Sequence, residues 1–295
     1  MSTRPKVFGF PGQGAQAAGM GAELFDRFPA LTAEADALLG YSIAALCRDN
    51  PDGALLRTEY AQPALYTVEA LALLAHREQD PVPADYLAGH SLGEYTALFA
   101  AGVFDFGTGL RLVQRRGELM GRAGGGSMAA VLGLELPAVR ELLDRFGLTE
   151  LDVALHNAPG QIALAGPVAE IDRLVEAAAE AEVRCIRLNV SGPFHSRHMR
   201  AAAEEFADFL AGFELAEPRV PVLANATARP HRAGEVADAL VRQITQPVLW
   251  EQSVRHLIEL AAPADGFDFV ELGPGRTLTG MVDRIRRAAV PARAA

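Results

Sequence analysis

The chain opens on an unbroken apolar run, Lys6–Phe10 (KVFGF), which predicts a buried strand; PGQGAQ at 11–16 ends it, because proline and glycine cannot continue the ladder. From 20 to 79 the apolar residues recur at helical spacing, and Pro29, Gly40, Pro51 and Pro63 divide them into several helices. Residues 85–89 (DYLAG) predict a second short strand, followed from Ser91 by a helix that stops at Gly102. A third helix covers Phe106–Arg122, and AGGGS at 123–127 makes a natural hinge.

Between 127 and 188 the pattern becomes strand, helix, strand, turn, strand, helix, strand. That βαββαβ order is the ferredoxin-like signature. The chain then returns with a helix over 195–212, a strand over 221–225, helices within 234–262, a strand over 267–271 and a last helix. We therefore expect a discontinuous large unit, residues 1–126 and 191–295, carrying an inserted unit at 127–190. The tail from Val290, rich in alanine and arginine, is expected to fray.

Composition narrows the function classes. Half of the 295 residues are hydrophobic and 22% are charged, as in ordinary globular proteins. A net charge of −10 argues against general affinity for nucleic acid or anionic membranes. No apolar run approaches the ~20 residues that span a bilayer, and none is long enough for a secretory signal, so a cytoplasmic location is expected. Cys47 and Cys185 stand far apart with no CxxC or Cys/His cluster, which predicts two reduced thiols and no metal site.

Candidate chemistry centres on GHSLG at 89–93. It fits the nucleophile-elbow pattern GxSxG and lies where that motif must, after a strand and before a helix. A serine hydroxyl needs a base within hydrogen-bond reach, and the seven histidines all qualify by type. His195 is the best choice: it follows a Gly-Pro break just after the inserted unit. His90 is expected to point away along the turn, and His76, His156, His198, His231 and His256 to cap, solvate or pack. By pattern alone PGQG also reads as a tight turn, and Arg116, next to Arg115, as part of a solvated helix face.

FPGQGAQ (10–16), GHSLGEY (89–95), RGELM (116–120) and ELGPGRTLTG (271–280) occur together and in order. With this set, from about residue 6 to 287, the chain resembles malonyl-CoA:acyl-carrier-protein transacylases. GVFDF, SGPFHSRHM and NATARP make it most similar to the free-standing, trans-acting acyltransferases of polyketide synthases.

The resemblance implies an α/β fold, an α/β-hydrolase-like large subdomain with an inserted ferredoxin-like small subdomain. It implies a catalytic pair of Ser91 and His195, the imidazole oriented by the backbone carbonyl of Gln243. The amides of Gln13 and Leu92 would form the oxyanion hole, and Arg116 would fork onto the free carboxylate of a malonyl group. Leu92 and Phe194 would crowd the acyl α-carbon, while Met120, Gln62 and Asn157 would line the cleft. Pro193 departs from the family pattern two places before the histidine and is expected to alter the pocket rim.

The activity so implied is transfer of malonyl from malonyl-CoA to the phosphopantetheine thiol of an acyl carrier protein, with ping-pong kinetics and no cofactor, in a monomer serving polyketide or fatty-acid synthesis. Arg197 and Arg200, or Arg284, Arg286 and Arg287, are candidate docking cations for the acidic carrier. Two other readings stay open: an acyl hydrolase that clears carriers on the same scaffold, and a non-catalytic module that only docks them.

Overall fold

The computed structural model describes residues 4–289, so the predicted fraying from Val290 lies outside the described residues. In chain order the elements are β1 (Lys6–Phe10), α1 (Ala22–Arg27), α2 (Pro29–Leu39), α3 (Ile43–Asp49), α4 (Thr58–Gln79), β2 (Tyr86–Gly89), α5 (Gly93–Ala100) and α6 (Phe106–Arg122). There follow β3 (Gly126–Leu132), α7 (Leu136–Arg145), β4 (Asp152–Ala158), β5 (Gln161–Pro167), α8 (Val168–Glu180) and β6 (Arg184–Arg187). The chain closes with α9 (Arg200–Leu210), β7 (Val222–Ala224), β8 (Arg229–Pro230), α10 (Val236–Thr245), α11 (Trp250–Ala261), β9 (Asp268–Glu271) and α12 (Thr277–Ala289).

Two sheets organise the molecule. One has the order β8-β7-β2-β1-β9, with β7, β2, β1 and β9 parallel and only β8 antiparallel. Phe10 pairs with Gly89, so β1 and β2 end level and the PGQG loop and the GHSLG turn leave the sheet side by side. Carboxyl ends of parallel strands are where such sheets place their ligand crevices.

The second sheet is antiparallel throughout, in the order β4-β5-β3-β6, which is the ferredoxin-like arrangement predicted from the βαββαβ pattern. Its strands alternate. Ala129, Val131, Ile162 and Leu164 pack in one cluster with Val139 and Leu142 of α7 and Ile171 and Leu174 of α8, whereas Met128, Ala154, Ala163 and Ala165 join the main core. A parallel bridge between Leu155 and Val248 ties β4 to the segment before α11, and His156 pairs with Glu251 across the same seam at 3.1 Å.

Helices α4 and α6 pack closely. A Cβ on Gly117 would meet the Thr58 carbonyl oxygen at 2.9 Å, so glycine there lets α6 lie against α4 and bring Arg116 to Gln62. Among the described residues no single helix is long and apolar enough to cross a membrane.

Four sequence expectations differ from the structure. Pro63 does not break a helix but lies inside α4, near its N-terminus, where only the carbonyl of half-buried Glu59 loses a partner. The helix after Ser91 begins only at Gly93, because Ser91 has φ +53°. His195 has φ +59°, equally non-helical, so the helix expected from 195 gives way to a 3₁₀ turn at Arg197–Met199 and then α9. The two-residue strand β8 carries no alternation to betray it.

Candidate active site

Ser91 sits at the turn between β2 and α5 in the left-handed region, φ +53°. Such a conformation costs a non-glycine residue about 1–3 kcal/mol and persists only where neighbours hold it. Here both of its peptide groups are held. The Ser91 N–H donates to Asn225 Oδ1 at 2.6 Å, and the Ser91 carbonyl accepts from Gln243 Nε2 at 2.9 Å. Asn225 Nδ2 in turn donates to the Gly89 carbonyl at 2.7 Å. The flanking glycines are required by space: a Cβ on Gly89 would lie 1.9 Å from the Gly93 carbonyl carbon, and one on Gly93 2.1 Å from the Phe10 carbonyl oxygen.

Beneath the turn lies a buried carboxylate, Glu94. It accepts from Gln243 Nε2 at 2.7 Å, from the Asn225 N–H at 3.1 Å and faces His231 Nε2 at 2.8 Å. These partners satisfy a charge that burial would otherwise make costly.

His195 reaches the hydroxyl from the segment between β6 and α9. Its Nε2 lies 2.7 Å from Ser91 Oγ and its Nδ1 2.8 Å from the Gln243 carbonyl oxygen. A carbonyl can only accept, so Nδ1 carries the proton and the Nε2 lone pair faces the serine. Burial first, and then the Arg116 charge, lower the imidazole from 6.5 to about 3. At neutral pH it is an uncharged base.

Arg116 comes from the middle of α6 and is 1% exposed. Nη1 donates to Gln62 Oε1 at 2.7 Å; Nη2 donates to Gln243 Oε1 at 2.9 Å and to Ser91 Oγ at 3.1 Å. The Tyr95 ring lies under it, 5.5 Å from guanidinium carbon to ring centroid. Among the described residues Nε has no hydrogen-bond partner and no carboxylate comes within ion-pair distance. A buried cation surrounded by neutral oxygens is ready for an anion.

The cavity beside these groups is small, about 80 Å³, and is lined by Gln13, Gln62, His90, Ser91, Leu92, Arg116, Met120, Phe194 and His195 from the loops and helices, with Met128, Leu155, Leu188 and Val190 from the inserted unit's side. Neither the Gln13 nor the Leu92 amide makes a hydrogen bond among the described residues. The Gln13 side chain is held by Thr58 Oγ1 at 2.7 Å.

The structure thus brings Ser91, His195, Gln13, Leu92, Arg116, Phe194, Gln62, Met120 and the Gln243 carbonyl together. Other sequence expectations do not hold. Asn157 is not on the cavity wall; its Oδ1 lies 2.8 Å from His90 Nε2, and it is His90, expected to point away, that lines the cavity. Pro193 packs against Gly126 instead of forming the rim, which a Cβ on Gly126 would strike at 2.4 Å. Arg197 is engaged by Asp152 through its guanidinium and its backbone N–H, and Arg286 lies over the Phe267 ring, so neither is a free cation. The sequence patterns give Asn225 and Glu94 no part, although NATARP and GHSLGEY contain them; a polar residue just after a strand and an acid one turn past the serine are the available signals.

Comparison with known proteins agrees with this geometry. The sequence matches the acyl transferase domain family over residues 7–290. It is 50% identical over 280 residues to the polyketide biosynthesis protein ThaF of Burkholderia thailandensis, covering 95% of this chain but only 24% of that much longer protein. It is 46% identical over 283 residues to the polyketide biosynthesis malonyl CoA-acyl carrier protein transacylase PksC of Bacillus subtilis, covering 95% of this chain and 96% of that one. Among solved structures, a malonyl CoA-acyl carrier protein transacylase from Burkholderia pseudomallei superposes with a TM-score of 0.94 at 49% identity, covering 98% of this chain and 100% of the other. The elbow serine, its histidine and the full-length match leave one assignment: the chain belongs to the acyl transferase family.

Proposed function

We propose that this protein transfers a malonyl group from malonyl-CoA to the phosphopantetheine thiol of an acyl carrier protein through an ester on Ser91, supplying extender units to a polyketide synthase. The observation that carries this reading is Arg116, a buried guanidinium with no counter-ion within ion-pair distance among the described residues, which lines the same small cavity as Ser91. An acyl group with a free carboxylate satisfies it; a neutral chain leaves it unpaired.

In the proposed cycle His195 Nε2 takes the Ser91 proton as Oγ attacks the thioester carbonyl. The oxyanion faces the Gln13 and Leu92 amides, each worth roughly 3–4 kcal/mol in such a role. Coenzyme A leaves with the proton. The carrier thiol then gives its proton to His195 and attacks the malonyl-serine ester, so the kinetics are ping-pong. Every proton and charge in this cycle is handled by the residues named, with no cofactor.

Supporting details follow the same lines. The relatives named for polyketide biosynthesis favour that pathway. A cavity of about 80 Å³ suits a three-carbon acyl group, with Leu92 and Phe194 limiting substitution at its α-carbon. Residues 127–190 form an inserted unit in a chain whose large unit comprises 1–126 and 191–295. Large exposed apolar residues are scattered singly, Leu56, Val82 and Leu260 among them, which favours a monomer; the cytoplasm is the compartment proposed for it. With Arg197 neutralised, exposed Arg200 is the docking cation left near His195. A carrier-clearing hydrolase has no use for Arg116.

The test is to incubate the protein with malonyl-, methylmalonyl- and acetyl-CoA, record intact mass, map the adduct and add a carrier protein, with Ser91→Ala as control. A malonyl adduct on Ser91 that moves to the carrier is the expected result. Loss of the adduct to water, or preference for acetyl, overturns the reading.

A further inference from the structure

Arg116 does more in this geometry than wait for a carboxylate. We propose that it holds Ser91 unreactive while the site is empty, and that the carboxylate of the incoming acyl group, by drawing the guanidinium onto itself, releases the hydroxyl for attack. This rests on the functional reading above, in which the acyl group carries a carboxylate.

The first ground is how the guanidinium is occupied. Nη2 donates to Ser91 Oγ at 3.1 Å, so a lone pair of the nucleophile is engaged by a cation. Both forked grips that an arginine can offer a carboxylate, through Nε and Nη2 or through Nη1 and Nη2, use Nη2. Nε is buried and, among the described residues, has no hydrogen-bond partner, so its N–H is unused and can pair with an anion. To form that fork Nη2 must give up Ser91 Oγ or Gln243 Oε1. The amide oxygen is the firmer partner: its bond is shorter, 2.9 Å, and the same side chain is fixed by Nε2 bonds to Ser91 O and Glu94. The serine bond yields.

The second ground is charge. Arg116 Nη2 and His195 Nε2 both contact Ser91 Oγ, so the two nitrogens are separated by less than ~6 Å. Attack moves the hydroxyl proton onto Nε2, forms the Oγ–C bond and sends the carbonyl electron pair to the oxygen that faces the two amides. An imidazolium is thereby created beside a guanidinium. The other titratable group facing the ring is His90, from the turn after β2; Glu94 of α5 lies behind Gln243, and among the described residues no carboxylate comes within ion-pair distance of His195. A carboxylate on Arg116 cancels the repulsion, worth on the order of a hundredfold in rate at an effective dielectric of about 20. The depression of the free imidazole to about 3, with Arg116 as its second cause, has the sign this requires.

Neutral acyl donors are then rejected twice, once in binding and once because they leave the serine held and the base weak. The proposal is tested with acetyl-CoA, which lacks the carboxylate, and formate, which supplies one separately. Acyl-enzyme formation at saturating acetyl-CoA is followed by quenched mass spectrometry with wild type and Arg116→Gln. Formate is expected to speed wild-type acetylation severalfold and to leave Arg116→Gln unchanged. The variant alone is expected to acetylate about tenfold faster than wild type, a part of that Coulombic penalty, with the acid limb of its pH profile moved up towards 6.5.

If formate has no effect on wild type or only inhibits, the idea fails. It fails equally if Arg116→Gln is no faster and keeps the wild-type acid limb. Should the variant not fold, the formate experiment on wild type decides. Malonyl labelling of wild-type Ser91 is measured in parallel: its absence sinks the functional reading, and the formate result stands or falls independently of it.

Discussion

Gln243 holds Ser91 from below: its side-chain Nε2 donates to the serine carbonyl at 2.9 Å, while its own backbone carbonyl accepts from His195 Nδ1 at 2.8 Å. One residue therefore fixes both halves of the proposed catalytic pair, the strained turn through its side chain and the imidazole tautomer through its backbone.

Substitution separates the two functions. Gln243→Leu keeps the carbonyl that orients His195 but takes one hydrogen bond each from the Ser91 carbonyl and Glu94 Oε2, which keep the Glu94 and Asn225 N–H groups, and leaves one Arg116 Nη2 hydrogen unpaired. Leaving buried polar groups unpaired costs about 1–3 kcal/mol, and a loosened nucleophile costs about tenfold to a hundredfold in acylation rate. Urea unfolding and the rate of acyl-enzyme formation check both.

The low basicity of His195 gives a pH signature. Its neutral form persists down to about 3, so kcat/KM, which reports the free enzyme, should stay level from pH 7 to pH 5 and not fall through 6.5. Stability shifts too. On unfolding the imidazole regains its ordinary 6.5 and binds a proton that the folded state refuses, so the folded state is fully favoured above 6.5 and loses stability as pH falls towards 3. By pH 5 the loss is roughly 2 kcal/mol. His195→Gln removes the titration, so the stability difference between wild type and variant should shrink on acidification; a constant difference would show an unperturbed imidazole.

Much of this site was legible in the sequence, for a physical reason. GHSLG, PGQG and Arg116 are short local patterns whose roles depend on residue type, and the level ends of β1 and β2 bring the first two together. The ferredoxin-like unit was legible because its strands alternate between two faces. What escaped was long-range and chemically bland. Asn225 meets Ser91 across 134 positions and Glu94 across 131, through amide and backbone bonds that no local pattern announces. The left-handed backbone at Ser91 and His195 misled the helix boundaries, since both carry side chains that normally avoid it.

Gly93 is predicted to tolerate no side chain. An alanine Cβ would lie 2.1 Å from the Phe10 carbonyl oxygen and 2.7 Å from that of Pro11, forcing the PGQG loop away from the elbow. Gly93→Ala should lose at least ~2 kcal/mol in chemical denaturation and fail to form an acyl-enzyme. Ser91→Ala, which removes only a hydroxyl, should keep its unfolding midpoint close to that of wild type.

Glu69 makes the opposite pH prediction to His195. It is wholly buried on α4, accepts from Thr96 Oγ1 at 2.6 Å through Oε2, and among the described residues has no partner for Oε1. Burial, reinforced by the nearby Glu271, pushes its carboxyl well above the usual 4.5 despite the Thr96 bond. The folded state therefore keeps a proton that the unfolded chain releases. Its stability contribution is full below 4.5 and declines as pH rises towards the folded value. Glu69→Gln has nearly the same shape and no proton to lose, so its stability relative to wild type should climb between pH 5 and pH 8. Parallel urea midpoints across that range would mean that Glu69 titrates normally, and that its burial is compensated by a partner other than Thr96.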